Sequence, residues 1–234
     1  MSCSLHHIKL IAFDADDTLW DCQSHFEAVE NTYCDLLSEY GDKQHISARL
    51  FETETRNMAE LGYGSKAFTL SLVENAVEVS KGRISASQLL KIQRLGRSLL
   101  NIPATPLEGV ESTLKAIHNM ARYKMVVFTK GEILDQENKL ARSGLWNYFD
   151  RVEVVADKTP RQYRELCATF GIGIDEFLMV GNSFKSDIAP VLHLGGYAVH
   201  IPFEVTWAHE ETEEYDHPHL IRIKTISALP ALMK

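Results

Sequence analysis

The stretch Ile8–Trp20, IKLIAFDADDTLW, constrains this chain more than any other. Ile8, Leu10, Ile11, Ala12 and Phe13 form a short apolar run suited to the middle of a parallel sheet covered on both faces. Asp14, Asp16 and Asp17 follow at once, with Thr18 behind them. Three carboxylates therefore gather where a strand emerges at its carboxyl end, the edge at which open α/β sheets place ligands. Carboxylates this crowded repel one another, so the site calls for a divalent cation, a positive side chain or a shared proton.

The rest of the chain supplies a sheet for that strand. From Pro103 onward strand and helix alternate: a helix over 110–122, a strand over 124–128, a helix over 133–143, a strand over 151–155, a helix over 159–170 and a strand over 177–180. A helix over 188–194 and strands over 197–201 and 220–223 complete the series. Repeated βα units predict a Rossmann-like parallel sheet with right-handed crossovers, an α/β fold. Between Trp20 and Pro103 the periodicity is helical throughout. Four helices are expected over 24–40, 47–61, 66–80 and 85–100, with breaks at Gly41, at 62–65 and at Lys81–Gly82. Ser85 with Gln88 reads as a capping box, and Phe26, Val29, Tyr33, Leu36 and Leu37 recur at helical spacing. The expected organisation is a catalytic core from residues 1–20 and 104–234 and a small all-helical domain over 21–103.

Composition removes several function classes. A chain of 234 residues with 45% hydrophobic and 24% charged residues buries a substantial core. A net charge of -8 without a basic run argues against nucleic acid. No apolar stretch approaches the roughly 20 residues a spanning helix needs, and no leader pattern opens the chain, so a cytoplasmic protein without a membrane partner is expected. Cys3, Cys22, Cys34 and Cys167 lack metal-ligand spacing and read as reduced thiols, mostly buried. No G-x-G-x-x-G turn supports a nicotinamide or flavin.

Polar residues suited to one reaction stand at four strand ends. They are Asp14 and Asp16 after the first strand, Thr129 after the next, Lys158 beyond the third and Asp187 behind the Gly181 turn. A carboxylate nucleophile, a hydroxyl donor, a fixed cation and a metal-binding carboxylate are the parts of a phosphoryl-transfer site. Each residue alone has a simpler reading as helix cap, turn chemistry or loop charge. Their order along the chain is what makes them a candidate site.

In these motifs the chain resembles the haloacid dehalogenase superfamily, mostly phosphatases. Asp14, Asp16 and Thr18 match its D-x-D-x-T motif, Thr129 in VVFTKG its second, Lys158 in ADKTP its third and Asp187 in GNSFKSD its fourth. The helical insertion resembles the cap domain found after the first motif in one branch. The resemblance implies that Asp14 attacks phosphorus, that Asp16 serves as acid and then base, and that Thr129 and Lys158 bind phosphoryl oxygens. It implies Mg²⁺ held by the Asp14 side chain, the Asp16 carbonyl, Asp187 and waters, with a small phosphorylated metabolite as substrate. Asp16 favours a phosphatase over a dehalogenase, which typically lacks an acid there; a sugar phosphomutase, or a binding module with a vestigial site, stays open. Asp17 stands where many members have Gly, Asn182 where many have an acid and Lys130 where Asn is frequent. Lys130 is an extra cation open to substrate contact but read first as a solvated or helix-flanking lysine, and the run Trp207–His219, with its glutamates and histidines, as a solvated acidic loop.

Overall fold

The computed structural model describes residues 5–205 and 207–234; Cys3 lies outside them. The chain divides into two compact units, one comprising the chain through Gln23 and Ala104–Lys234, the other Ser24–Pro103.

The first unit carries a six-stranded sheet. Its strands are β1 (Leu10–Phe13), β2 (Lys124–Lys130), β3 (Arg151–Val155), β4 (Phe177–Gly181), β5 (Tyr197–His200) and β6 (Leu220–Arg222), in the order β3-β2-β1-β4-β5-β6 and parallel at every pairing. β1 is central, which accounts for its wholly apolar and wholly buried LIAF sequence. Alternate residues feed two cores: Ile11 and Phe13 pack with Val127, Val180 and Leu114, while Leu10 and Ala12 pack with Phe128, Met179 and Tyr163. The register pairs Phe13 with both Val127 and Val180, so the loops that follow β1, β2 and β4 leave the sheet at one edge.

The second unit holds α1 (Gln23–Leu36), α2 (Lys43–Leu61), α3 (Ser65–Val79) and α4 (Ala86–Ser98). Ser85 makes both bonds of the expected capping box with Gln88. α2 begins four residues earlier than the spacing predicts, because the Asp42 side chain accepts from the His45 amide and caps it. Ile46, Leu50, Phe68, Leu72, Ala76 and Ile92 are buried, and the Tyr33 hydroxyl donates to Asn75 Oδ1 at 2.6 Å. α1 is shorter than expected, ending at Leu36 before a turn.

The sheet unit adds α5 (Val110–Asn119), α6 (Ile133–Ser143), α7 (Pro160–Phe170), α8 (Ala189–Leu194) and a short C-terminal α9 (Leu229–Leu232). No helix of the described residues is long and apolar enough to cross a membrane. Cys22, Cys34 and Cys167 are buried free thiols.

Candidate active site

Two carboxylates leave the end of β1 into different surroundings. Asp14, 7% exposed, is met from below by Lys158, which lies just before α7 and is 4% exposed. The ammonium contacts Asp14 Oδ1 directly and donates to Asp187 Oδ1 at 2.6 Å. The other Asp14 oxygen accepts from the Thr18 hydroxyl at 3.2 Å, and that hydroxyl also lies 3.1 Å from Asn182 Oδ1. Thr18 and Asn182 thus brace the nucleophile candidate. Burial pushes the Asp14 carboxyl up to about 7; Lys158 pulls it down, and the Asp187 charge pushes it up again.

Asp187 owes its position to an irregular turn. Between β4 and α8 the chain forms a π-helical turn, Phe184–Ile188, with the Ser183 hydroxyl accepting from the Ser186 amide at 3.0 Å. The Ser183 amide donates to Asp187 Oδ2 at 3.0 Å. Gly181 is required here because a Cβ on it would overlap the Asp187 carboxylate. The sequence predicts only a helix from 188; the π turn is invisible to a 3.6-residue period.

Asp16 points into a second group that the sequence reading missed. Lys139 Nζ donates to both of its oxygens at 2.7 Å, Gln136 Nε2 to Oδ2 at 2.7 Å and Trp20 Nε1 to Oδ1 at 2.7 Å. Although burial alone would raise the Asp16 carboxyl, the Lys139 charge and these bonds hold it below the usual range. Lys139 and Gln136 come from α6, which is inside out: Asp135, Gln136 and Lys139 are buried while Ile133 and Leu134 are each 62% exposed. That inversion is the signal. In the sequence LDQENKL it is silent, since periodicity does not say which face turns inward.

Asp17 adopts φ +64, in the left-handed region that favours glycine. Its carboxylate accepts from the amides of Cys22 and Gln23 at 2.8 and 2.9 Å, a local hydrogen-bond pattern that lets an aspartate stand there.

Thr129 is buried near the end of β2, which runs two residues longer than predicted. Its hydroxyl donates to the Lys130 carbonyl at 3.4 Å, and among the described residues it makes no bond to the Asp14 group. Lys130 overturns the solvated alternative of its reading: it stands three residues before α6 but is partly buried, donates to Ser186 at 2.9 Å and pairs with Glu210. Glu210 also accepts from Ser183 and, at 2.6 Å, from Ser186. So Glu210 is pinned against the π turn, whereas residues 211–216 are exposed as the acidic-loop reading expects. His200 is buried, its Nε2 lying 2.9 Å from the Asn182 carbonyl, and His219 stacks on Tyr197. Among the described residues no group of three or more His, Cys, Asp or Glu is arranged to hold a metal. The oxygens that the Lys158 ammonium meets belong to two carboxylates, Asp14 and Asp187.

Residues 8–195 match the family model for haloacid dehalogenase-like hydrolases. The chain belongs to this family. A haloacid dehalogenase-like hydrolase of Xanthomonas campestris has a crystal structure that superimposes with a TM-score of 0.87 at 36% identity, covering 96% of this chain and 90% of that one. Among curated relatives, the glyceraldehyde 3-phosphate phosphatase of Methanothermobacter thermautotrophicus is 23% identical over 97% of this chain and 100% of its own length. The pyrimidine 5'-nucleotidase YjjG of Escherichia coli is 27% identical over 79% of this chain and 82% of its own. The hydrolase therefore shares its full architecture, not an isolated motif, with the family.

Proposed function

We propose that this hydrolase cleaves the phosphate monoester of a small phosphorylated metabolite through a phosphoaspartate on Asp14. The observation that carries the reading is the Lys158 bridge between Asp14 and Asp187, a buried cation aimed at a carboxylate on the ligand edge of the sheet. The phosphatase and nucleotidase relatives support the same reaction class.

The donor set suits a hard divalent cation. One ammonium faces two buried carboxylates, so negative charge is left in excess; burial pushes Asp14 upward and the Asp187 charge adds to that push against Lys158. Asp14, Asp187 and the Asp16 carbonyl would hold Mg²⁺, with water completing its oxygen shell. Bound there, Mg²⁺ would offset charge on the phosphoryl oxygens.

In the first half-reaction an Asp14 oxygen attacks phosphorus in line and the ester oxygen leaves, with Asp16, an anion in the free protein, relaying to it a proton taken from the phosphate monoanion. Lys158 and Thr129 bind phosphoryl oxygens and stabilise charge as the transition state spreads it. In the second, water attacks the phosphorus of phospho-Asp14, Asp16 takes its proton and inorganic phosphate departs. Thr18 and Asn182 keep the nucleophile oriented. Ser24–Pro103 would act as the cap that selects substrate. The test is a panel of phosphorylated metabolites with p-nitrophenyl phosphate as generic substrate, each with Mg²⁺ and with chelator, ranked by kcat/KM. Metal-dependent phosphate release is the expected result; no release from any ester overturns the reading.

A further inference from the structure

Lys139 is buried to 2% exposure on α6, within reach of neither Asp14 nor Asp187 by any hydrogen bond among the described residues, and no motif of the family reading assigns it. Its ammonium bridges both oxygens of Asp16 and lies 3.9 Å from Asp135 Oδ2 and 4.0 Å from the Cys22 sulfur. Gln136, one turn away, spends its amide hydrogens on Asp16 Oδ2 and on the Lys130 carbonyl, so it is itself anchored to the end of β2. Trp20 is fully buried and offers a single indole hydrogen, aimed at Asp16 Oδ1. Four hydrogen bonds from three packed side chains thus converge on one partly buried carboxylate. An exposed surface aspartate needs no such arrangement, and a buried ion pair stabilises a fold only weakly compared with apolar packing.

We infer that Lys139, with Gln136 and Trp20, is the positioning residue for Asp16: it holds the carboxylate in one rotation so that proton exchange with leaving group and water occurs at one place. The inference rests on the phosphatase reading above. Lys139 acts through Asp16 and touches no reacting atom. Deleting it therefore has a particular kinetic shape. Transfer to Asp14 from an ester whose leaving group is stable as an anion needs little protonation and is spared. Transfer from an alkyl phosphate, and hydrolysis of phospho-Asp14, both need Asp16 in place and are slowed by about 10²-fold, the scale of a misplacement of the order of 1 Å.

The experiment compares wild type, Lys139→Met, Asp16→Ala and the double variant with Mg²⁺, first by nitrophenol release from p-nitrophenyl phosphate with enzyme in excess, then by steady-state turnover of that ester and of an alkyl phosphate. Lys139→Met is expected to keep the wild-type single-turnover rate, to lose about 10²-fold in steady state, and to add nothing to Asp16→Ala in the double variant. Should Lys139→Met fail to fold, Lys139→Gln keeps a donor and an uncharged contact, and is expected to show the same pattern at smaller amplitude. Equal slowing of single-turnover and steady-state rates, additivity with Asp16→Ala, or wild-type kinetics in both Lys139 variants would each overturn the inference while leaving the phosphatase reading intact. Wild-type protein that never forms the Asp14 adduct overturns the reading itself, and the inference with it.

Discussion

Asp14 and Asp16 stand two residues apart on one loop, and each meets a buried lysine, yet the two pockets push their carboxyls in opposite directions. Beneath Asp14 a single ammonium is divided between two carboxylates, Asp14 and Asp187, and burial prevails. Around Asp16 the ammonium is joined by an amide and an indole, and the anion prevails. Burial is common to both, so it does not decide the outcome; the ratio of donors to carboxylates does. The difference fits the division of labour proposed above, in which the nucleophile waits for additional positive charge and the acid–base residue is held in place.

The largest effect is expected on the Asp14 side. Asp14→Asn replaces the carboxylate with a nearly isosteric amide of negligible nucleophilicity, so metal-dependent turnover should fall by on the order of 10⁴-fold or more. Folding should survive, because the change also removes one of two like charges that share Lys158. Steady-state kinetics on protein checked by mass spectrometry for deamidation gives the answer, and near-wild-type turnover would remove Asp14 from the mechanism.

Asp16→Ala comes next and empties the other pocket. With a nitrophenyl ester the first transfer should persist in part, while water attack on phospho-Asp14 should slow by on the order of 10²- to 10⁴-fold without its base. Nitrophenol should then appear as a burst about stoichiometric with enzyme, and acid-quenched protein should carry a phosphoryl group. Unchanged steady turnover would exclude Asp16 from both half-reactions.

Lys158→Met tests whether the Asp14 pocket depends on its cation as much as the donor count implies. Leaving two buried carboxylates without their shared ammonium should cost about 3–5 kcal/mol in chelator, the scale for breaking a buried pair by removing one partner. Mg²⁺ should restore part of that loss by binding the native state alone. Thermal denaturation with and without Mg²⁺ measures both, and a variant as stable as wild type in chelator would show that the pair carries no such load.

How much of this was legible in the residues depends on what kind of signal carried it. β1 was plain because a central parallel strand must be apolar on both faces, and Leu10–Phe13 is. The strand-end positions of Asp14, Lys158 and Asp187 followed from the βα alternation, and the structure joins those three by direct contacts. Thr129 sits at its predicted strand end without a bond to them. Lys139, Gln136 and Glu210 were out of reach for a common reason. Each is a polar residue whose partner is remote in sequence, 123, 120 and 80 positions away respectively. Local periodicity reads such residues as solvated faces, and only tertiary packing says otherwise. The π turn escaped for a different reason, since its signature is one residue of surplus in a helix, not a composition.

Asp17 gives the smallest effect and the closest view of how the loop keeps its two pockets apart. Its φ of +64 costs an alanine roughly 1 kcal/mol, and the two amides of Cys22 and Gln23 lose their acceptor if the side chain is truncated, roughly another 1 kcal/mol. Asp17→Ala should therefore destabilise by about 2 kcal/mol, whereas Asp17→Gly relieves the backbone cost and should lose only about half as much. Asp17→Asn keeps both the acceptor oxygen and tolerance of the left-handed region, so it separates charge from geometry. Burial pushes the Asp17 carboxyl up to about 7, against the downward pull of the two amides. A folded-state value above the unfolded one means that the folded protein holds its proton more tightly. Its contribution to stability is thus complete below about pH 4 and is lost as pH rises through about 7. In chelator the wild type should lose thermal stability over that window more steeply than Asp17→Asn, whose amide does not titrate. Parallel pH profiles for the two proteins would mean that Asp17 is an ordinary carboxylate, and that its place in the loop is owed to backbone geometry alone.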